Sequence, residues 1–471
     1  MSAGLTLQLG RFISALRYDD IPAAALAPIR LAFADTVGVA IAGAGEDAPR
    51  LVQSMLAPAG GVATLLGGHG HANGQGHGQG HRRASALDAA WINGTAAHAL
   101  DFDDVSQRAF GHASAFLVPA ILAQGEAVGA GGRALLTAYA AAYEAIADLA
   151  RRDADVGRYH EKGWHPTGVF GALGAAAACA SLLRLSPEQC AMALGLAGSQ
   201  ACGLIVNAGT MTKPFHAGRA AHAGVASAQL VSKGFTAAID SLEHAPGFLA
   251  AFSYGGRIDT ARPSAVGVDW QICGGNRISV KQYPTCYCTH RAIDGMFDLV
   301  RANSIRSADV ERIAVSISRR NAVILRNHAP RTGLEAKFSI EFAVVAPTLA
   351  SRMGLAELSD DFVLRPDVQA LMQRVEVVAD DRDNPERPGY AANDRVEVFL
   401  RDGRHLDSGP IAHARGDHEH PLSNEALWAK FDDCLASAGM RADAERLFAG
   451  LMNLDRIDRV ADLMALMNPT R

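Results

Sequence analysis

Residues 95–119 read TAAHALDFDDVSQRAFGHASAFLVP, and the rest of the chain is organised around them. An apolar helix runs into three carboxylates, Asp101, Asp103 and Asp104, and a polar turn then leads to His112, where an apolar helix resumes. Carboxylates and an imidazole at the end of a buried helix are the groups of an acid/base site. Because Asp also caps helices and fills turns, the residue types alone leave both interpretations open.

The segments on both sides of this stretch are Ala-rich and show helical periodicity. Apolar positions three and four apart, with Asp20 near the start, predict an amphipathic helix over residues 20–43. Ser186, followed by Pro, Glu and Gln, has the pattern of a capped helix start. Low β-branched content and short loops favour an all-α bundle. Further helices are predicted over 84–100, 115–128, 132–151, 167–184, 186–201 and 217–233.

The pattern changes after about residue 265 and changes back near Leu422. β-branched residues in partly alternating order predict strands between these points, and the Pro-, Gly- and Asn-rich residues 384–394 predict a loop. From Ser423, a predicted cap, helical periodicity continues to Met467. The predicted strands are 310–318, 375–379 and 395–400, and the predicted helices between them are 339–351 and 366–373.

These patterns predict a mainly α protein of two domains. Residues 1–265 and 413–471 would form a large all-α domain from both chain ends, and residues 266–412 a smaller inserted α+β lid. With 471 residues, 49% of them hydrophobic and 20% charged, the chain can bury the core that this organisation requires.

Charge and terminal sequence exclude several classes of partner. The net charge of −5 and the lack of a Lys/Arg-rich run argue against nucleic-acid binding. The N-terminus lacks the pattern of a secretory signal. We expect no apolar run as long as the ~20 residues that span a membrane. A cytoplasmic protein without a membrane partner is therefore expected.

Two stretches contain residue types that bind metals. Residues 67–81, GGHGHANGQGHGQGH, hold four histidines, but the flanking glycines and the missing carboxylate or Cys favour a mobile surface loop over a metal tract. Cys286-Tyr-Cys288 matches no usual ligand spacing, which favours buried structural thiols over a metal or iron–sulfur motif. The sequence therefore predicts no metal site.

A histidine directly precedes a predicted helix in residues 163–171, GWHPTGVFG. Pro166 restricts His165 to extended conformations, and Thr167 is predicted to be the N-cap. At this position an imidazole adjoins the free N–H groups and the positive dipole end that attract anions. A histidine that only satisfies a turn is the alternative.

Lys213, His216 and Arg219 recur at intervals of three residues. On one helical face they would form a cationic strip at the beginning of a helix, where cations oppose the helix dipole. A bound carboxylate would offset that cost, so the pattern favours an anion site over a solvated charged face.

Residues 281–290, KQYPTCYCTH, place Lys281, Tyr283 and His290 around a Pro-containing turn. If the inserted domain is a lid, these groups would close on a site in the helical domain. A patch of hydrogen bonds between the domains is an equal alternative.

The four segments around Asp101, His165, Lys213 and Lys281 together resemble the MmgE/PrpD family. This family includes 2-methylcitrate dehydratase, cis-aconitate decarboxylase and iminodisuccinate epimerase. The order and spacing of the motifs carry the resemblance over nearly the whole chain, and residues 193–203, 336–345 and 421–431 also match. The resemblance implies a helical domain with a smaller α+β lid, homodimers, and chemistry without a cofactor.

The chain also departs from the family's decarboxylase pattern. Val105 stands where that decarboxylase has Thr, and the turn before His112 is one residue longer, which argues against decarboxylation of cis-aconitate. Ala113 stands where the family often has Pro. The functional residues that this pattern implies are Asp101, His112, His165, Lys213 and His290.

The family's reactions act on a carbon next to carboxylates, and the charge that develops requires cations. We assign the substrate carboxylates to Lys213 and His165, and an acid/base pair to His112 and His290, with Asp101 orienting one of them. Which histidine is acid and which is base stays open. Additional candidates for substrate binding are His216, Arg219, Lys281 and Tyr283.

The expected function is that of a cofactor-independent lyase acting on a small polycarboxylate, most closely a 2-methylcitrate dehydratase-like hydro-lyase. An epimerase, isomerase or decarboxylase of a related polycarboxylate would use the same proton transfer. The alternative from another class is a non-catalytic carboxylate-binding protein. The presence of the five implied ionisable residues argues against it.

Overall fold

The computed structural model describes residues 4–67, 83–275, 277–380, 383–384 and 387–467. The chain forms two compact units: Met1–Val206, Met211–Val280 and Ser423–Arg471 make the first, and Asn207–Thr210 with Lys281–Leu422 make the second. The domain limits expected from the sequence stay a prediction. The four histidines of the predicted surface loop lie outside the described residues.

Helices dominate the first unit, and every helical segment predicted before residue 234 is helical. The mainly α fold class is confirmed. Two short antiparallel pairs accompany the helices, β1 (Ala63–Thr64) with β2 (Arg83–Ala84) and β3 (Val105–Ser106) with β4 (Ile278–Ser279). The helices are α1 (Leu5–Ala15), α2 (Ala23–Gly43), α3 (Asp47–Leu56), α4 (Ala86–Ala99), α5 (Ala113–Val128), α6 (Gly132–Ala150), α7 (Tyr159–Lys162), α8 (Pro166–Leu182), α9 (Pro187–Gly198), α10 (Thr212–Ser232) and α11 (Phe248–Phe252).

Small residues let helices α4 and α10 approach each other closely. A Cβ atom built on Gly218 of α10 would lie 2.4 Å from the carbonyl oxygen of Trp91 in α4. A Cβ atom on Gly94 would lie 2.9 Å from the Cα atom of Gly218. Only glycine fits at this crossing, and the short distance brings the first turn of α10 next to the end of α4.

Helix α2 has the length and composition of a membrane span, with a mean hydropathy of 1.5. The expectation that no apolar run reaches this length is therefore wrong. Of its most apolar window, 67% is buried inside the first unit, so packing in the core accounts for the apolar character of the helix.

The second unit contains a four-stranded sheet in the order β10-β9-β5-β6, and its three predicted strands are confirmed. Strands β5 and β6 are parallel, and β9 is antiparallel to both β5 and β10. The strands are β5 (Val310–Ser318), β6 (Val375–Asp380), β7 (Asp383–Asn384), β8 (Arg387–Ala391), β9 (Arg395–Leu400) and β10 (His405–Asp407), and the helices are α12 (His290–Asn303), α13 (Arg319–Ile324), α14 (Gly333–Ala336), α15 (Ile340–Ala350), α16 (Asp360–Val363) and α17 (Pro366–Met372).

The loop predicted over residues 384–394 is partly wrong, because β7 and β8 pair there as an antiparallel ribbon. Proline lacks the backbone N–H of a ladder, but a two-stranded ribbon has two open edges, where that loss costs little. Pro and Gly content therefore misled the sequence interpretation at this ribbon.

As predicted, the chain becomes helical again after Ser423, and this segment belongs to the first unit. Ser423 caps the first helix of the segment, since its side chain accepts a hydrogen bond from the backbone N–H of Ala426. These helices are α18 (Asn424–Ser437), α19 (Ala444–Met452) and α20 (Val460–Met464).

Candidate active site

The stretch that joins α4 to α5 is held in a constrained turn. Asp101 adopts a positive φ of 50°, which is uncommon for a residue other than glycine. Ser106 and Gly111 then exchange backbone hydrogen bonds of 2.8 and 3.0 Å, which closes a small loop. His112 follows this loop at the N-cap position of α5.

Thr167 fixes the backbone on which His112 sits. Its hydroxyl oxygen accepts the His112 backbone N–H at 3.2 Å. A Cβ atom on Gly111, where φ is 124°, would lie only 2.7 Å from the same oxygen. The prediction that Thr167 caps α8 is wrong, because His165 holds the N-cap position and the helix begins at Pro166. The Thr167 hydroxyl instead stabilises the loop that precedes α5.

The Asp103 carboxylate binds two histidines. Its Oδ1 lies 2.9 Å from Nδ1 of His98, and its Oδ2 lies 2.9 Å from Nδ1 of His112. Burial opposes ionisation of Asp103, but the two rings hold its pKa well below its usual value. An ionised carboxylate only accepts hydrogen bonds, so both Nδ1 atoms carry hydrogen. In its neutral form, the His112 ring then has its lone pair on Nε2.

Lys213 joins this group from the first turn of α10. Its Nζ lies 2.9 Å from Oδ1 of Asp101 and 3.0 Å from Nε2 of His98. The same Asp101 oxygen lies 3.8 Å from Nε2 of His112. A basic nitrogen and an ammonium therefore converge on one carboxylate oxygen.

The other two histidines of the first unit's predicted site form a pair. Nδ1 of His165 lies 3.1 Å from Nδ1 of His216, and the His165 ring stacks on His98 at 5.9 Å between centroids. Burial, with Lys213 and neighbouring histidines, lowers the pKa of His165, and burial lowers that of His216 to about 4. Both rings are neutral near pH 7, so they would bind a carboxylate by hydrogen bonds and not by charge.

Arg219 does not continue a strip with Lys213. Its guanidinium lies 4.6 Å from the ring centroid of Trp91 and donates to Nδ1 of His222 at 3.0 Å. At about 100° per residue, positions six apart on a helix differ by about 120°, so the predicted single face is wrong.

Three predicted site residues belong to the second unit. Lys281 is fully buried, and the Tyr283 hydroxyl donates to Asp294 at 2.5 Å. His290 is the first residue of α12, where its Nε2 lies 3.3 Å from the carbonyl oxygen of Thr285. The roles of Lys281, Tyr283 and His290 in a reaction stay predictions.

One set of donors has the composition of a metal site. Ligand atoms of His98, Asp101, Asp103 and His112 lie within 4.8 Å of one another. The Lys213 ammonium is at hydrogen-bond distance from two of these donors. A divalent ion bound to all four would have to displace or neutralise that ammonium, so the donor set fits a lysine better than a metal.

Asp104 is a further acidic residue of the stretch that joins α4 to α5. The Ser114 hydroxyl contacts the fully buried Asp104 carboxyl and the Tyr139 hydroxyl, the latter at 2.8 Å. Burial and the nearby Asp35 raise the pKa of Asp104 to about 8, so this group is protonated at neutral pH. Asp104 therefore supports the turn as a neutral group.

Two models of one family match this chain. The MmgE/PrpD N-terminal domain matches residues 7–261, and the MmgE/PrpD C-terminal domain matches residues 283–455. The chain belongs to the MmgE/PrpD family. The resemblance read from the sequence motifs is thereby confirmed.

Curated relatives of this MmgE/PrpD chain include three cis-aconitate decarboxylases. The Homo sapiens protein is 28% identical over 391 residues, covering 80% of this chain and 79% of the relative. The Mus musculus protein is 28% identical over 393 residues, covering 80% and 78%. The Aspergillus terreus protein is 24% identical over 495 residues, covering 99% and 96%.

Sequence interpretation of this MmgE/PrpD site missed His98 and the bridging role of Asp103. His98 lies in an Ala-rich apolar helix, where a single histidine is more often a satisfied core residue. Its position at the end of a predicted helix, three residues before Asp101, was the available signal.

Proposed function

We propose that this MmgE/PrpD protein is a lyase that acts on a small polycarboxylate through proton transfer at a carbon next to a carboxylate group. The observation that supports this most is the convergence of His112 Nε2 and Lys213 Nζ on Oδ1 of Asp101, at 3.8 and 2.9 Å. A base and a cation placed together can remove a proton and stabilise the charge that results.

His112 would take the proton at Nε2. Asp103 holds Nδ1–H of the same ring at 2.9 Å, so it fixes the tautomer and stabilises the imidazolium that forms. Lys213 would stabilise the negative charge that develops on the substrate carboxylate. His165 and His216, both neutral, would orient a second carboxylate through hydrogen bonds.

For the finer assignment we propose a dehydratase of the 2-methylcitrate type, in which a hydroxyl group leaves after proton removal. The leaving hydroxyl requires an acid, and we propose His290, the other member of the acid/base pair expected from the sequence. Val105 and the longer loop closed by Ser106 and Gly111 distinguish this chain from the decarboxylase pattern.

Decarboxylation of cis-aconitate is the second candidate, because the relatives reported above carry that name. In that reaction His112 would act in its protonated form and give the Nε2 proton to the carbon from which carbon dioxide leaves, while Lys213 stabilises the negative charge that develops there. An epimerase of a related compound would use proton removal and return without loss of a group.

Proton NMR in heavy water separates these reactions. Chelator-treated protein is incubated with 2-methylcitrate isomers, citrate, cis-aconitate and iminodisuccinate. We expect an alkene from a hydroxy acid. Loss of carbon dioxide from cis-aconitate would establish the decarboxylase, and deuterium entering an otherwise intact compound would establish the epimerase. No reaction and no exchange across the panel would contradict the lyase proposal.

A further inference from the structure

His98 lies between the two halves of the site. On one side its Nδ1 lies 2.9 Å from Asp103, which also binds His112. On the other side its Nε2 lies 3.0 Å from Nζ of Lys213, which also binds Asp101. The side chains of Asp101, Lys213, His98, Asp103 and His112 therefore form one continuous chain of hydrogen bonds.

The contacts of His98 determine its tautomer. Asp103, as an ionised acceptor, requires hydrogen on Nδ1, and the neutral ring must then present a lone pair at Nε2. A lysine ammonium can only donate, so the Nε2 lone pair is the group that it needs. Burial, with Lys213 and His112, outweighs Asp103 and lowers the pKa of His98 to about 3, which keeps the ring neutral.

We propose that His98 is a positioning residue that holds the Lys213 ammonium against Asp101 and couples it to the Asp103–His112 pair. The catalytic meaning of this coupling rests on the proposed function. The placement of Lys213 does not, and it can be measured without a substrate.

Two substitutions separate the two contacts of the ring. His98→Asn keeps an N–H group near the position of Nδ1 but removes the acceptor that Lys213 uses. His98→Gln places an amide near the position of Nε2 but removes the anchor on Asp103. A residue needed only to satisfy Asp103 would be replaced well by Asn.

The first measurement is a double-mutant cycle with Lys213→Met. We expect His98→Asn to lower kcat/KM by roughly 10- to 150-fold, the range for loss of a hydrogen bond to a charged group. In the Lys213→Met background the same substitution should have almost no further effect, because the two residues act together. Independent losses that multiply in the double mutant would overturn the proposal.

The second measurement needs no activity. Native protein is labelled with limiting acetic anhydride, and acetylation of Lys213 and Lys430 is compared by peptide mass spectrometry. Lys430 is the control, because it is also buried but pairs with Asp35 and the backbone carbonyl of Phe102. We expect severalfold faster labelling of Lys213 in His98→Asn, a smaller increase in His98→Gln, and unchanged Lys430.

The outcomes separate the two proposals. Faster labelling of Lys213 in a protein that transforms no compound of the panel would contradict the lyase while supporting the role of His98. Unchanged Lys213 labelling in the variants would overturn that role even in an active enzyme. If one variant fails to fold by circular dichroism, the other carries the test, since both lose one of the two contacts.

Discussion

Lys213 and Lys430 are two buried lysines that hold the same turn in different ways. Each pairs with an aspartate, Lys213 with Asp101 at 2.9 Å and Lys430 with Asp35 at 2.6 Å. Lys213 also donates to the imidazole of His98. Lys430 instead donates to the backbone carbonyl of Phe102 at 2.7 Å and lies 3.9 Å from the centroid of its ring.

The second partner distinguishes their roles. The imidazole of His98 connects Lys213 through Asp103 to His112, which is the proton-transferring residue in the proposed function. A backbone carbonyl and an aromatic ring exchange no protons, so Lys430 fixes the turn without taking part in its chemistry. Burial and an aspartate partner therefore do not by themselves mark a lysine as functional.

The largest effect should come from Lys430→Met, which leaves Asp35 without its cation in the core. Breaking such a buried pair costs about 3–5 kcal/mol in the free energy of unfolding. Urea denaturation followed by circular dichroism measures this cost. The double variant Asp35→Asn with Lys430→Met removes both charges and should recover part of it. A stability loss below ~1 kcal/mol would contradict the structural role.

Lys213→Met should lower kcat/KM by about 10²–10³-fold, the cost of removing one electrostatic stabiliser. Its stability loss should be smaller than that of Lys430→Met, because the imidazole of His112 remains 3.8 Å from the Asp101 carboxylate as a second partner. The NMR assay and urea denaturation measure both quantities. Turnover equal to wild type would refute the role of Lys213.

Asp104→Asn tests the acid beneath the turn through the pH dependence of stability. The Asp104 pKa is about 8 in the folded protein and ~3.9 unfolded, so between these values the folded state binds more protons. Wild-type stability should therefore fall as pH rises through this window, by up to about 1.4 kcal/mol per pH unit. The Asn variant has no titrating carboxyl at this position, so its stability should lack this pH dependence.

Urea denaturation at pH 5, 6, 7 and 8 measures this difference. The variant should gain relative to wild type as pH rises, and parallel curves would show that Asp104 is ionised throughout. Ser114→Ala is the matched control. It removes the hydroxyl contact of Asp104 but keeps the titrating carboxyl, so the fall of stability with rising pH should remain.

How much the sequence predicts depends on the distance between partners along the chain. The helices, the three long strands and the residues of LDFDD follow from local periodicity and spacing. The contact of His98 with Lys213 joins residues 115 positions apart, and that of Lys430 with Phe102 joins residues 328 apart. The first contact depends on the close packing of α4 and α10 at Gly94 and Gly218, and the second on the return of the chain through α18. No local sequence pattern expresses either of them.

The smallest effect should come from Arg219→Met. Its guanidinium lies over Trp91, a contact worth about 0.5–1 kcal/mol of stability at a partly exposed site. Because it bonds to His222 on its own helix, kcat/KM should change by no more than about threefold, well under the ~1.4 kcal/mol of a tenfold change. The same NMR assay and urea denaturation apply. A loss of kcat/KM as large as that of Lys213→Met would show that both cations bind the substrate. Arg219 would then belong to the site together with Lys213.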